Sequence, residues 1–123
     1  MGVPGLAIAG VSIDCPDHER LARFYLDLLS AELLWSTSTA AAVRCGTYVL
    51  IAQKCVPYVP PQWPGASVLH LDLNGERDVD ELVEHAVSVG ASLATHQPDE
   101  RWTVLLDPAG HPFCITPFSP DRS

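Results

Sequence analysis

The residues best suited to ligand binding or proton transfer lie in a short segment, Val68 to Asn74, whose side chains alternate as in a β-strand. In it, His70 and Asp72 are two residues apart, so in an extended strand both side chains share a face, about 7 Å apart along the chain. An imidazole beside a carboxylate can orient a polar ligand or take part in proton transfer. A hydrogen-bonded histidine in the core or in a cavity wall is an equally good interpretation.

The four cysteines, Cys15, Cys45, Cys55 and Cys114, include no pair with CxxC spacing. In a cytosolic chain of this size we interpret them as reduced thiols that pack as small apolar side chains. Cys114 could react only with a lowered pKa, and the sequence offers it no clear cationic neighbour. The sequence shows no clear catalytic pattern of the Ser-His-Asp or Cys-His type. It also shows no phosphate-binding glycine loop.

The composition excludes several classes of partner. A chain of 123 residues, 47% of them apolar, fits one domain or two small half-domains that share a core. The formal charge of −8 argues against a nucleic-acid partner. No apolar run approaches the roughly 20 residues of a membrane span, and the N-terminus lacks the basic segment of a secretion signal. We therefore expect a cytoplasmic protein with neither a nucleic-acid nor a membrane partner.

Two amphipathic helices are predicted by apolar residues that recur with helical period. The first stripe comprises Leu21, Phe24, Tyr25, Leu28 and Leu29, and the second comprises Val79, Leu82, Val83, Ala86 and Val87. Either Asp17 caps the first helix or Pro16 already occupies its first turn. Before the second helix, Asp78 and Glu81 have the spacing of a capping box.

Strands are predicted on both sides of each helix, at 7–14, 33–37, 41–44, 47–53, 68–74 and 93–96. A closing hairpin is predicted over Trp102–Ile115, with Trp102, Val104 and Leu106 on one face of its first strand. Asp107, Pro108 and Gly110 suit the first, second and fourth positions of a type I turn. Pro112 cannot donate to a ladder, so it should begin a strand or lie on an open side.

Both halves of the chain have the same pattern of one strand, one helix and three strands, over residues 5–53 and 68–117. This repetition is typical of a duplicated half-domain. The Pro-rich segment 54–67 between them cannot sustain a helix or a central strand, and we interpret it as a stiff linker. Tyr58 and Trp63 in this linker either cover a hydrophobic edge, which we favour slightly, or line a ligand pocket.

Three motifs together resemble the vicinal oxygen chelate superfamily, which includes glyoxalase I, bleomycin-resistance proteins and extradiol dioxygenases. They are Asp14–Asp17 with the following Leu21–Tyr25, then His70–Leu73, then Asp107–Cys114. The chain is most similar to the short glyoxalase-like domains of bacteria. The resemblance implies a single α+β domain, 1–123, in which two paired βαβββ modules form a curved mixed sheet around a cup-shaped ligand cavity. It also implies a homodimer.

Metal-dependent members of this superfamily place ligands on the first and last strand of each module. Carried over to this sequence, those positions fall near Ala9 or Gly10, on Leu50, on His70 and on Cys114. A catalytic divalent ion normally has at least three protein ligands, so we expect no cofactor and no metal centre of the family type. The alternative is a divalent metal ion at a displaced site that uses His70 and Cys114, with Asp72 as a further ligand.

Two functions of different classes follow from the resemblance. The first, which we prefer, is a resistance-type or sequestration-type protein that binds a small organic molecule in the cup. The second is a divalent-metal-dependent lyase, isomerase or dioxygenase built on the displaced site. The residues expected to line the ligand site are His70, Asp72, Cys114, Leu50, Tyr58, Trp63 and Trp102.

Overall fold

The structure, a computed structural model, describes residues 2–65 and 69–118. The chain divides into two compact units, with the boundary between Val56 and Pro57. Each unit contains one helix and one four-stranded mixed sheet, so the predicted α+β fold is confirmed. Within the described ranges, neither helix is long and apolar enough to cross a membrane.

The first unit contains, in chain order, β1 (Val11–Cys15), α1 (His18–Leu28), β2 (Glu32–Ser36), β3 (Ala40–Cys45) and β4 (Tyr48–Lys54). Its sheet has the order β1-β4-β3-β2, with β1 parallel to β4 and the other pairs antiparallel. Helix α1 buries the predicted apolar stripe through Leu21, Phe24 and Tyr25. Strand β1 begins at Val11 and not at Ala7, since its pairing with β4 starts where Val11 lies opposite Leu50.

The second unit contains β5 (Leu71–Leu73), α2 (Val79–Ser88), β6 (Ser92–Leu93), β7 (Thr103–Leu106) and β8 (Pro112–Ile115). Its sheet order, β5-β8-β7-β6, repeats that of the first unit, again with the first strand parallel to the last. The predicted internal repeat is therefore confirmed. Strand β5 is shorter than the predicted 68–74, and Val68, like linker residues 66 and 67, lies outside the described residues.

The two helices begin differently, although an aspartate precedes each. The Asp17 side chain accepts a hydrogen bond from the backbone N–H of Arg20 at 3.1 Å and caps α1. The capping box predicted at Asp78 is wrong, because that side chain makes no capping hydrogen bond. The backbone torsions differ (φ −138°, ψ 99° at Asp17; φ −55°, ψ 141° at Asp78), so the same side chain leaves each helix end in a different direction.

The β7–β8 hairpin is held by a buried carboxylate at its turn. Asp107 accepts hydrogen bonds from the backbone N–H groups of Ala109, at 2.9 Å, and His111, at 3.0 Å. Gly110 donates to the Asp107 carbonyl at 2.9 Å, with a φ of +91° that favours glycine. As predicted, Pro112 begins the second strand of the hairpin.

The short strand β6 is extended by a side chain. Instead of the predicted 93–96, the strand ends at Leu93. Beyond it, the Gln97 amide nitrogen donates to the carbonyl oxygens of Ala94 and Val104, both at 2.8 Å. The Gln97 carbonyl oxygen in turn accepts the Val104 backbone N–H at 2.8 Å. Because an amide side chain carries a donor and an acceptor, Gln97 takes the place of a strand residue beside β7.

Candidate functional site

Strand register assembles three polar side chains on one face of the second sheet. Asp72 of β5 lies opposite Cys114 of β8, which in turn lies opposite Val104 of β7. His70 precedes Asp72 by two residues, and the two side chains are in contact. The His70 Nδ1 atom is 3.2 Å from the Asp72 Oδ1 atom and 3.9 Å from the Cys114 sulfur. The shared face predicted from the alternation of His70 and Asp72 is thus present.

A cleft of about 330 Å³ in the second unit contains this polar cluster. Its aromatic lining consists of Trp63, Trp102 and Phe118, and the remaining residues that line it are His70, Asp72, Pro98, Val104, Cys114 and Thr116. Pockets for small organic ligands typically have volumes of roughly 300–1,000 Å³. The cleft therefore has room for a small ligand, with large apolar surfaces and a few polar atoms to orient it.

Contacts within the second unit hold the two tryptophans in place. The Trp63 indole N–H donates to the backbone carbonyl of His96 at 3.1 Å. The Arg101 guanidinium lies 5.2 Å from the centre of the Trp102 ring, within range of a cation–π contact. Arg101 also donates to both carboxylate oxygens of Asp99, at 3.0 and 2.8 Å. These hydrogen bonds lower the pKa of Asp99 to about 2, so the fold favours its charged form, the form that accepts the hydrogen bonds of Arg101.

The three polar side chains differ in access to solvent. Cys114 is only 4% exposed, whereas the side chains of His70 and Asp72 are 36% and 57% exposed. Burial raises the pKa of the Cys114 thiol to about 11, and the charge of the neighbouring Asp72 contributes to the shift. A protonated thiol is a poor nucleophile. By itself, then, the cluster offers a hydrogen-bonding imidazole and carboxylate and not a reactive cysteine.

Two residues predicted at the ligand site, Leu50 and Tyr58, are not among the described residues that line this cleft. Leu50 belongs to β4 of the first unit, where it is buried. The Tyr58 hydroxyl donates to the Ala109 carbonyl at 2.7 Å and lies 3.1 Å from the His111 Nε2 atom. Tyr58 therefore attaches the Pro-rich segment to the turn of the β7–β8 hairpin, and it is not among the described residues that line the cleft.

Four residues that line the cleft were not predicted as ligand-site residues from the sequence: Pro98, Val104, Thr116 and Phe118. Val104 shares its strand face with Trp102, as the predicted hairpin places it. Thr116 and Phe118 continue the two-residue alternation of Cys114 beyond Ile115, where the predicted hairpin ends. Pro98 belongs to the segment between β6 and β7, and no periodicity in the sequence marks it. Its position depends on the Gln97 hydrogen bonds described above.

The residues of the first module do not fit a metal centre of the family type. At Gly10, an added Cβ atom would lie 3.0 Å from the Val49 carbonyl oxygen and 3.3 Å from the Val49 Cβ atom. The backbone there leaves little room for a ligating side chain. Leu50, at the other position, has no donor atom. At these two positions, the first module therefore offers no donor to a centre with ligands from both modules.

Residues 10–116 match the family model described as a glyoxalase-like domain. No curated protein matches the chain. Among solved structures, the fosfomycin resistance protein FosX from Listeria monocytogenes superposes with a TM-score of 0.73 at 13% identity, covering 94% of this chain and 96% of that chain. A glyoxalase family protein from Enterococcus faecalis gives 0.68 at 21% identity, with coverages of 89% and 95%.

A third solved structure, lactoylglutathione lyase from Agrobacterium tumefaciens, superposes with a TM-score of 0.62 at 16% identity, covering 92% of this chain and 94% of that chain. At such identities the likeness to these structures shows the fold alone, since one fold hosts many functions. The family model, in contrast, spans nearly the whole sequence. The chain therefore belongs to the glyoxalase-like domain family, within the vicinal oxygen chelate superfamily.

Proposed function

We propose that the protein binds a small organic molecule with an aromatic or heteroaromatic body in the cleft of its second unit. The observation that carries the proposal is the pairing of aromatic walls, Trp63, Trp102 and Phe118, with the polar atoms of His70 and Asp72 in one cleft. Flat rings provide stacking surfaces for the body of such a ligand. A few convergent polar groups fix its orientation.

Binding without chemical conversion is the role that we favour. The Cys114 thiol, with its pKa raised to about 11, is protonated at neutral pH and is not activated as a nucleophile. The first module supplies no donor at the positions that metal-dependent relatives use. A protein with these properties is suited to sequestering a compound, which is the resistance-type role predicted from the sequence.

A metal-dependent lyase, isomerase or dioxygenase centred on His70 is the second candidate. It is favoured by the nitrogen, oxygen and sulfur donors of His70, Asp72 and Cys114, which lie within 4.8 Å of one another. The two roles differ in the fate of the bound compound. Mass spectrometry after incubation recovers the compound unchanged if the protein only binds it, and recovers a product if the protein is an enzyme.

We also propose that the protein is a homodimer. The support is the exposure of large apolar side chains on the first sheet, where Leu33 is 51%, Trp35 45% and Tyr48 77% exposed. A second copy could cover such side chains in a symmetric interface. Light scattering at micromolar concentration should then report twice the mass of one chain, and a monomer mass would overturn this part of the proposal.

The ligand proposal is tested by calorimetric or thermal-shift screening of a library of small aromatic and heteroaromatic compounds. We expect compounds that bind the wild-type protein to lose at least about tenfold in affinity with Trp102→Leu, because a stacking surface is removed. The matched variant Trp35→Leu changes a tryptophan of the first sheet and should leave their affinity unchanged. Equal losses in both variants, or none in Trp102→Leu, would place binding outside the cleft.

A further inference from the structure

We infer that His70, Asp72 and Cys114 form a zinc site supplied by the second module alone. Such a site differs in donor chemistry from the two-module centre of the metal-dependent relatives, because one of its ligands is a thiolate. The inference deepens the second candidate function, which uses the same three donors, by naming the ion. It does not depend on the proposed organic ligand, since zinc can bind whether or not such a ligand follows.

The spacing of the three donor atoms already approaches that of a zinc complex. Tetrahedral zinc, with bonds of about 2.0–2.3 Å to nitrogen, oxygen and sulfur, separates its ligand atoms by about 3.4–3.6 Å. In the structure, the His70 Nδ1 atom is 3.2 Å from the Asp72 Oδ1 atom and 3.9 Å from the Cys114 Sγ atom. All three donors lie within 4.8 Å of one another. Side-chain adjustments of about 1 Å would complete the triangle.

The elements that carry the donors make this arrangement rigid. Asp72 and Cys114 are opposite each other in the parallel pairing of β5 with β8, and β8 is also paired with β7. Cys114 is buried against Ala94 and Val104, with Trp63 and Trp102 packed around them. Two of the three ligands, Asp72 and Cys114, are therefore fixed by strand register and lose little conformational freedom when the ion binds. His70 lies one residue before β5.

The donor set determines the class of ion. Imidazole, carboxylate and thiolate together suit zinc and other thiophilic ions, whereas magnesium and manganese prefer sites built from oxygen ligands. On binding, zinc replaces the thiol proton of Cys114, which passes to solvent. His70 and Asp72, which contact each other in the structure, then become two adjacent ligands of the ion.

The cleft explains why three ligands would suffice. Zinc sites that act on other molecules have three protein ligands and leave one position to water or a substrate. The same His70, Asp72 and Cys114 side chains line the cleft, as do Trp63 and Trp102. The fourth position of the ion would therefore face the space in which an organic ligand is proposed to bind.

The test uses the full-length protein, stripped of metal with a chelator and then titrated with zinc alone. We expect one zinc ion per chain by calorimetry, and with cobalt as a spectroscopic substitute we expect the near-ultraviolet absorption of a cobalt–thiolate bond. Cys114→Ser should abolish that absorption and lower zinc affinity by more than about 100-fold, since even outer hydrogen-bond partners of metal ligands are worth about 10- to 100-fold. Cys45→Ser, a thiol variant in the first unit, should retain both.

His70→Gln serves as a second variant, because this exposed side chain can be changed with little effect on folding, which circular dichroism verifies. The His70→Gln variant should also lose zinc affinity. In the wild-type protein, a tenfold excess of manganese should fail to displace zinc. The inference is overturned if folded Cys114→Ser or His70→Gln binds zinc as well as wild type, if cobalt gives no thiolate band, or if manganese displaces zinc. Compound binding by the chelator-treated protein is measured separately, so failure of the zinc site and failure of the organic-ligand site are distinguishable.

Discussion

The His70 Nδ1 atom lies 3.2 Å from the Asp72 Oδ1 atom, and both side chains are more than a third exposed. Asp72 lies in β5 and His70 one residue before it, so the contact agrees with the two-residue period of extended backbone, which puts both side chains on one face. Exposed pairs of this kind add only about 0–1 kcal/mol to stability. The position of this pair in the aromatic-lined cleft supports the proposed role in ligand binding.

The first prediction separates these two roles. We expect His70→Ala to change the free energy of unfolding by less than about 1 kcal/mol while weakening compound binding about tenfold, the value of one hydrogen bond. Urea denaturation and calorimetry with a compound from the aromatic library provide the two measurements. His85→Ala, on the exposed side of α2, is the control and should alter neither. A loss of about 1–3 kcal/mol in stability with unchanged binding would make His70 a structural residue.

Gln97 is predicted to be the main side-chain support of the cleft wall. Gln97→Ala removes three hydrogen bonds of 2.8 Å to Ala94 and Val104, and we expect the free energy of unfolding to fall by about 1–3 kcal/mol. Urea denaturation measures the change. Thr95→Ala, at a neighbouring exposed position, should stay within about 0.5 kcal/mol of wild type. Equal stability of the two variants would show that the ladder beside β7 does not need the Gln97 amide.

The two helix caps give a paired prediction. Asp17→Ala removes the capping hydrogen bond to Arg20 and should cost about 1 kcal/mol of stability. Asp78→Ala removes no capping hydrogen bond, so it should cost clearly less. Denaturation of the two variants side by side measures the difference. If Asp78→Ala proved as costly as Asp17→Ala, both aspartates would act as caps in solution.

Features that depend on local backbone geometry could be predicted from the sequence, and features that depend on tertiary contacts could not. The apolar period of α1 and the alternation around His70 and Asp72 depend on local geometry, so the sequence sufficed for both. The capping role of Asp78 was mispredicted because a capping motif specifies residue types but not the backbone torsions that aim the side chain. Gln97 escaped prediction because its partners, Ala94 and Val104, are identified only by the tertiary pairing of β6 with β7.

The pKa of Asp99 provides a test of the loop that supports Trp102. In the folded protein it is lowered to about 2 by the hydrogen bonds from Arg101. A lowered carboxyl pKa means that the charged form is favoured by the fold, so this interaction is fully present above the ordinary value of 3.8 and is lost as the pH falls through about 2. Nuclear magnetic resonance of the Asp99 carboxyl carbon should show that low midpoint.

Arg101→Gln should return the Asp99 midpoint toward 3.8, while Arg77→Gln, which alters an ion pair with Glu81 on α2, should leave it unchanged. A midpoint near the ordinary value in the wild-type protein would mean that the Asp99–Arg101 pair does not persist in solution. Arg101 would then have no fixed position over the Trp102 ring, and the wall of the cleft would be less well defined.

The most direct test of the proposed ligand site follows the three indole N–H signals of the protein by nitrogen-15 nuclear magnetic resonance during titration with the aromatic compound library. Trp63 and Trp102 line the cleft, whereas Trp35 lies in β2 of the first unit and serves as an internal control. We predict that bound compounds shift the signals of Trp63 and Trp102 and leave that of Trp35 in place. Compounds that shift only Trp35, or a library in which none shifts Trp63 or Trp102, would contradict a ligand site in the second unit.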